Sequence, residues 1–380
     1  MMKIIGKEKV TDLLRKLSDY KIFVPTEQDG VVSYLPFDTE ILLDFDNSQK
    51  PPKEIFFPQT EKLFDYKTSA GRITGIEEPV LPDDQVLLFG TRPCDASANV
   101  ILDSVFNWDY IDQYYANRRK NATIISIGCT QPRDTCFCTS MGGNPGSSEG
   151  SDMLWTDLGE RYLVESLTEK GHAIIGLAGD IFSDPAEGDE DAAREVTKQA
   201  EDRIIRTLDL DGVTEALESA FGSDYWDSFA KRCIGCGICT LMCPTCHCFD
   251  ISDVSSMGTI RRERTWDTCQ TEYYTIHASG HNPRPVKSYR QRNRIYHKFL
   301  YMGKNLEVLG CVGCGRCISG CPVNIDIIEV IEGVKECREA VACREAKAAA
   351  DQDSCAVIED CPEEMADGGI GLKASQEEEQ

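Results

Sequence analysis

Long apolar runs, histidine and positive charge are all scarce in this chain. No stretch of about 18 apolar residues occurs, so nothing reads as a membrane-spanning helix. Met1 to Val10 contain neither an apolar core nor a small-residue cleavage site, so they do not read as a secretory leader. Only five histidines occur, and no Ser/His/Asp set is identifiable. Forty Lys and Arg against 64 Asp and Glu give a formal charge of −24. Such a surface repels phosphate backbones and argues against a nucleic-acid binder. No G-x-G-x-x-G follows a strand-like run, and G-x-x-x-x-G-K-[ST] is absent, so NAD or ATP binding through those loops is not expected.

What the chain has is cysteine: 19 in 380 residues. The count is odd and the chain is long, which argues against a disulfide scaffold and for a metal-bearing protein of a reducing compartment. A cytoplasmic place is expected, with peripheral attachment to a membrane-bound complex left open. The composition, 41% hydrophobic and 27% charged, is that of a globular protein long enough for two or three domains.

Three parts are expected. Residues 1–215 read as an α/β domain, with β-rich runs at Gln85–Phe89, Thr123–Ile127, Arg161–Glu165 and His172–Ile175. Helices are expected over Glu8–Leu17 and Ala96–Phe106, and another led by Asp189, Glu190 and Asp191, since carboxylates favour a first turn. The acidic stretch around them reads as a solvated helix face. Residues 216–335 carry a repeated cysteine motif. Residues 336–380 hold 12 acids and 4 bases from Cys337 onward and read as an acidic helical or disordered tail.

The motif occurs as Cys233-Ile-Gly-Cys236-Gly-Ile-Cys239-Thr-Leu-Met-Cys243-Pro244 and as Cys311-Val-Gly-Cys314-Gly-Arg-Cys317-Ile-Ser-Gly-Cys321-Pro322. Both are C-x2-C-x2-C-x3-C-P. Three cysteines at steps of three wrap a loop over three corners of an iron–sulfur cube, and the fourth, before proline, reaches the neighbouring cube. The expected sets are Cys233, Cys236, Cys239 with Cys321, and Cys311, Cys314, Cys317 with Cys243: two [4Fe–4S] clusters. The glycines beside these cysteines let backbone N–H groups aim at sulfur. Structural zinc favours two C-x-x-C pairs or Cys/His pairs instead. Residues 245–310 separate the motifs and contain helix-like stretches, especially Lys287–Tyr301, so an enlarged, α-helical-type ferredoxin domain is expected.

The other cysteines are less regular. Cys94, Cys129, Cys136 and Cys138 sit at or after expected strand ends, where sites form in α/β domains, and could hold a third [4Fe–4S] cluster or be buried and inert. Cys246, Cys248 and Cys269 could ligate a further cluster or shield the others. Cys337, Cys343, Cys355 and Cys361 are irregularly spaced and read as non-ligands. Between Arg261 and Lys304 ten bases face three acids, a local net of +7. This strip either compensates anionic clusters, docks an acidic redox partner, or is a solvated helix face.

Taken with Phe57-Pro-Gln-Thr-Glu-Lys-Leu-Phe64, Gly90-Thr-Arg-Pro-Cys-Asp95, Tyr114-Tyr-Ala-Asn-Arg-Arg-Lys-Asn121, Thr135-Cys-Phe-Cys-Thr-Ser140, Cys243-Pro-Thr-Cys-His-Cys-Phe-Asp250 and Trp266-Asp-Thr-Cys-Gln270, the second motif gives a wider pattern. Over most of residues 50–335 the chain resembles the β subunit of sulfhydrogenases (NAD(P)-linked nickel–iron hydrogenases) and the A subunit of anaerobic sulfite reductase. The resemblance implies an electron-transfer subunit of a multisubunit anaerobic oxidoreductase. It would relay electrons between a flavin- and NAD(P)-binding reductase partner and a catalytic partner of hydrogenase, sulfite reductase or heterodisulfide-reductase type. No catalytic residue is expected on the chain itself. A rival reading is a free-standing oxidoreductase with a flavin or substrate site in the α/β domain, where Arg92, Asp95 and Glu61 would be the polar groups. A zinc-stabilised scaffold is a third.

Overall fold

Alternation of side chains between two cores organises the N-terminal half. The structure, a computed structural model, describes residues 1–338 apart from 39, 70, 257 and 258. Most of the tail expected over 336–380, with Cys343, Cys355 and Cys361, lies outside the described residues. The strands are β1 (Met2–Gly6), β2 (Lys21–Gln28), β3 (Val31–Pro36), β4 (Thr60–Ser69), β5 (Arg72–Ile76), β6 (Val86–Thr91), β7 (Ala122–Ile127), β8 (Met153–Asp157), β9 (Arg161–Ser166), β10 (Phe249–Ser256) and β11 (Thr259–Trp266). Seven form one sheet in the order β1-β9-β8-β7-β6-β2-β3. Its centre, β2-β6-β7-β8, is parallel, and antiparallel strands close both edges.

β6 and β7 are buried along their whole length, as strands covered on both faces must be. Leu87, Phe89, Ile125 and Ile127 point into one core with Leu13, Leu14 and Trp155. Val86, Leu88, Ala122 and Ile124 point into the other, against Ala96, Leu102 and Phe106 of helix Pro93–Phe106. Each fully buried Leu, Ile or Phe contributes about 1.5–3 kcal/mol over exposure, so these strands are the firm base from which the cysteine loops project.

The expected strands at Gln85–Phe89, Thr123–Ile127 and Arg161–Glu165 fall on β6, β7 and β9. His172–Ile175 does not form a strand. It lies in helix Glu169–Leu177, whose N-cap Thr168 accepts from the Gly171 amide. A run as short as His172-Ala-Ile-Ile175 carries no period that separates strand from buried helix, and the cap decides it. The helix expected to begin at Asp189 runs Asp189–Asp202. Among the described residues no helix is long and apolar enough to cross a membrane.

The insert between the cysteine motifs is only partly helical. Helix Lys287–Tyr296 continues through one wider turn at His297–Tyr301 into Met302–Leu306, where a helix was expected. Before it, β10 and β11 form a hairpin that adds to β4 and β5 in a second sheet, order β10-β11-β4-β5. Arg264 of β11 lies opposite Glu61 of β4 and pairs with both Glu61 and Asp112, while Arg118 takes the other Glu61 oxygen. A third core joins Trp226, Phe229, Ile295, Phe299, Ile331 and Phe137. Phe137 thus carries the loop between β7 and β8 into the cysteine-rich part of the molecule.

Candidate metal centres

Three groups of thiols converge, and each follows from local chain geometry. In the first motif Gly235 and Gly237 both adopt φ +75, which turns the loop so that Cys233, Cys236 and Cys239 line one cavity. Cys321 of the second motif completes the lining of the same cavity. Donors are aimed at these sulfurs: the Gly235 amide and the Gln291 side-chain amide at Cys233 (3.3 and 2.9 Å), and the Ile325 amide at Cys321 (3.2 Å). Hydrogen bonds to sulfur favour its charged, electron-rich state.

The second group is Cys311, Cys314, Cys317 and Cys243, again drawn from both motifs. Cys311 and Cys314 each have Cys317 and Cys243 as charge neighbours. The Lys298 ammonium reaches the Cys243 sulfur at 3.2 Å, the Thr245 hydroxyl at 3.0 Å and the Gly310 carbonyl at 2.6 Å. Cys239 and Cys317 are neighbours, so the two groups adjoin.

The third group comes from the carboxyl ends of the parallel strands. Cys94 enters the helix that follows β6, Cys129 follows β7, and Cys136 and Cys138 lie in the next loop; all four line one cavity, with Cys314 at its edge. Its loop packs on the second motif without spare room. The Phe137 amide donates to the Gly313 carbonyl at 2.8 Å. A Cβ on Gly313, whose φ is +63, would meet the Phe137 carbonyl at 2.5 Å, and one on Gly315 would meet Thr135 at 2.4 Å. Between Cys314 and Cys317, Arg316 forms a fully buried two-pronged ion pair with Asp95, the residue after Cys94, at 2.7 and 2.8 Å.

The surrounding charges fit anionic clusters. Lys53, Arg294 and Lys298 are 3, 5 and 3% exposed. Their hydrogen-bond partners are carbonyls, a hydroxyl and a thiol, never a carboxylate, and the Arg294 Nε has no partner. Buried cations are costly unless a negative group faces them. Here that group is sulfur. Burial disfavours the charge on Lys298, and Cys243, Cys246 and Cys311 outweigh it, holding its pKa above the usual lysine value. Burial pushes three thiols up in turn, Cys136, Cys138 and Cys311 to about 12, whereas contact with Cys246 and the Lys298 charge hold Cys243 well below the usual thiol value. Iron must therefore displace protons to enter. Among the described residues no three His, Cys, Asp or Glu side chains close around a point suited to one metal ion. A cubane spreads its four thiolates over four irons.

Part of the basic strip belongs to this inner layer. Arg264, Arg290, Arg294 and Lys298 are buried and cannot present themselves to a partner. Lys287 donates to the Cys233 carbonyl (2.8 Å) and Arg290 to the Gln270 carbonyl (3.0 Å). Sequence reasoning missed Lys53, Gln291 and Arg316. Arg316 stands inside the motif and could have been noticed as a charge among ligands; Lys53, remote in sequence, carries no signal. Arg92, Asp95 and Glu61 are engaged by the Gly128 carbonyl, Arg316, and Arg118 with Arg264 respectively. Cys337 lies beside Tyr225.

A parallel-stranded α/β body bearing a doubled cubane motif with buried counter-cations defines an iron–sulfur protein. Residues 232–325 match the 4Fe-4S dicluster domain family. The chain is 34% identical over 299 residues, 78% of its own length and 86% of the relative's, to the sulfhydrogenase 2 subunit beta of Pyrococcus furiosus. It belongs to the sulfhydrogenase β-subunit family, and is an iron–sulfur, [4Fe–4S]-bearing electron-transfer subunit of an oxidoreductase.

Proposed function

We propose that this chain is a three-cluster wire. The first [4Fe–4S] cluster is held by Cys233, Cys236, Cys239 and Cys321, the second by Cys311, Cys314, Cys317 and Cys243, and the third by Cys94, Cys129, Cys136 and Cys138. Electrons pass between a flavin- and NAD(P)-binding reductase partner and a catalytic partner of hydrogenase, sulfite reductase or heterodisulfide-reductase type. The observation that carries the reading is continuity. Cys314 borders the third cavity, Cys317 and Cys239 are neighbours, and Cys236 is exposed at the far end. Each cluster supplies one-electron chemistry; the chain's own residues set its charge environment through the sulfur hydrogen bonds, Lys298 and Arg294. All sixteen described cysteines are free, which suits the cytoplasm. We keep the division into residues 1–215, 216–335 and 336–380, with the hairpin β10–β11 reaching across to β4.

The test is iron and flavin per chain, measured on anaerobically purified protein and on a Cys136→Ser/Cys138→Ser variant. About twelve irons in the parent and about eight in the variant are expected at four per cubane, with no flavin. An unchanged iron count removes the third cluster. Stoichiometric flavin with turnover by the isolated chain sinks the relay.

A further inference from the structure

The cluster assignment leaves a thiol pair over. Cys248 precedes β10 and Cys269 follows β11, so the hairpin that sets Phe249 opposite Trp266 brings both to its open end. The Asp267 amide donates to the Cys248 carbonyl at 3.0 Å. Each thiol is the leading influence on the ionisation of the other, which places the two side by side.

The pair lines a cavity of about 200 Å³ together with Cys246, His247, His297 and Tyr274. Cys246 is in contact with Cys243, the second cluster's ligand, so the cavity offers no free set of four thiols for another cube. Cys248 is half-buried and Cys269 is 6% exposed. The Gln270 side-chain amide donates to Cys269 at 3.3 Å. The contact with Cys269 and the Tyr274 hydroxyl bring the Cys248 thiol down to about 6 against burial. That is the division of an exchange-active dithiol: an accessible, thiolate-forming attacker and a buried resolving partner.

We propose that Cys248 and Cys269 form a redox-active dithiol–disulfide pair that collects single electrons from the second cluster and delivers them in twos to a small disulfide entering this cavity. The inference rests on the relay reading above. Oxidised, the pair is one S–S bond. Two electrons from reduced clusters and two protons break it to two thiols. The Cys248 thiolate attacks the substrate disulfide and releases one thiol. Cys269 then attacks the mixed disulfide, releases the second thiol and restores the Cys248–Cys269 bond. The net reaction consumes one disulfide, two electrons and two protons and yields two thiols.

The experiment uses the intact, cluster-loaded chain under anaerobic conditions, photoreduced and then mixed with dithiodiglycolate. Cluster reoxidation is followed optically, and thiols are mapped by differential alkylation and mass spectrometry. Expected are a Cys248–Cys269 crosslink after mixing and its loss on re-reduction. In Cys248→Ser or Cys269→Ser, reoxidation should be slower by about tenfold or more with iron unchanged. A loss of about four irons in either variant makes these residues cluster ligands and overturns the proposal. Full iron with both thiols alkylated in every redox state of the parent protein also overturns it, and leaves the relay standing. An iron-free parent chain sinks the relay, and the pair with it.

Discussion

Lys298 offers the sharpest test of the crossed ligation. Its ammonium is buried, 3.2 Å from the Cys243 sulfur, and it has no carboxylate partner. If Cys243 belongs to the second cluster, that charge stabilises the reduced state, which carries one more negative charge than the oxidised state. Spread over a cube, the added electron sits about 6 Å from the ammonium on average. At an effective dielectric of about 20 the interaction is about 3 kcal/mol. On the one-electron scale of about 59 mV per 1.4 kcal/mol, Lys298→Met should lower the second cluster's potential by about 100 mV. Lys298→Arg, which keeps the charge, should move it far less. The assay is an anaerobic redox titration read by electron paramagnetic resonance, which separates the clusters by signal. A shift confined to a signal that survives Cys311→Ser, or no shift in Lys298→Met at full iron content, would refute the assignment of Cys243 to the second cluster.

Other outcomes are expected from the same geometry. Arg316→Ala strands the Asp95 carboxylate in a dry contact and should cost about 3–5 kcal/mol, seen as a large drop in the anaerobic melting temperature; a change under 1 kcal/mol would show the pair to be dispensable. Gly313→Ala forces a left-handed residue against the Phe137 carbonyl and should destabilise the third site far more than Gly75→Ala, where a Cβ meets nothing within 4 Å; iron content and melting temperature compare them. Loading of iron into cluster-free protein should strengthen as pH rises from about 6.5 to 8.5, because Cys136, Cys138 and Cys311 have raised pKa values and enter as thiols that must lose protons. Proton release on iron addition, measured in weak buffer, should be positive throughout; its absence would mean the thiols are already ionised.

What the sequence made legible was whatever depended on short-range spacing. The C-x2-C-x2-C-x3-C-P repeats identify their chemistry because one loop must wrap one cube, and β6 and β7 identify themselves because strands buried on both faces need unbroken apolar runs. The run at His172–Ile175 was ambiguous because three apolar residues after a histidine fit either a strand or a buried helix, and Thr168 settles it through a cap. β10 and β11 were illegible for another reason. With Arg261, Arg262, Glu263 and Arg264 in sequence, β11 has no apolar alternation. Its stability comes from partners distant in the chain, Glu61 and Asp112 for Arg264 and Asp253 for Arg262. The strip's charge was visible, but its meaning was not, since a local count cannot separate a solvated face from a buried counter-charge.

Burial separates them. Four of the ten bases between Arg261 and Lys304 are under 9% exposed, and two of these, Arg294 and Lys298, face thiols. Such cations would be destabilising in a protein whose cysteines stayed protonated, because a neutral thiol does not offset a buried charge. The fold therefore has its full charge balance when the clusters are present; without them the lowered Cys243 thiol beside Lys298 supplies only part of it. Cluster loss should unfold the cysteine-rich half before the seven-stranded sheet, where the buried Arg92 is held by the carbonyls of Phe45, Asp46, Ile127 and Gly128. Hydrogen exchange on chelator-treated protein tests this: early exchange over helix 287–306 with continued protection of β6 and β7 is expected. Simultaneous loss of protection in both would show that the sheet, too, depends on the iron.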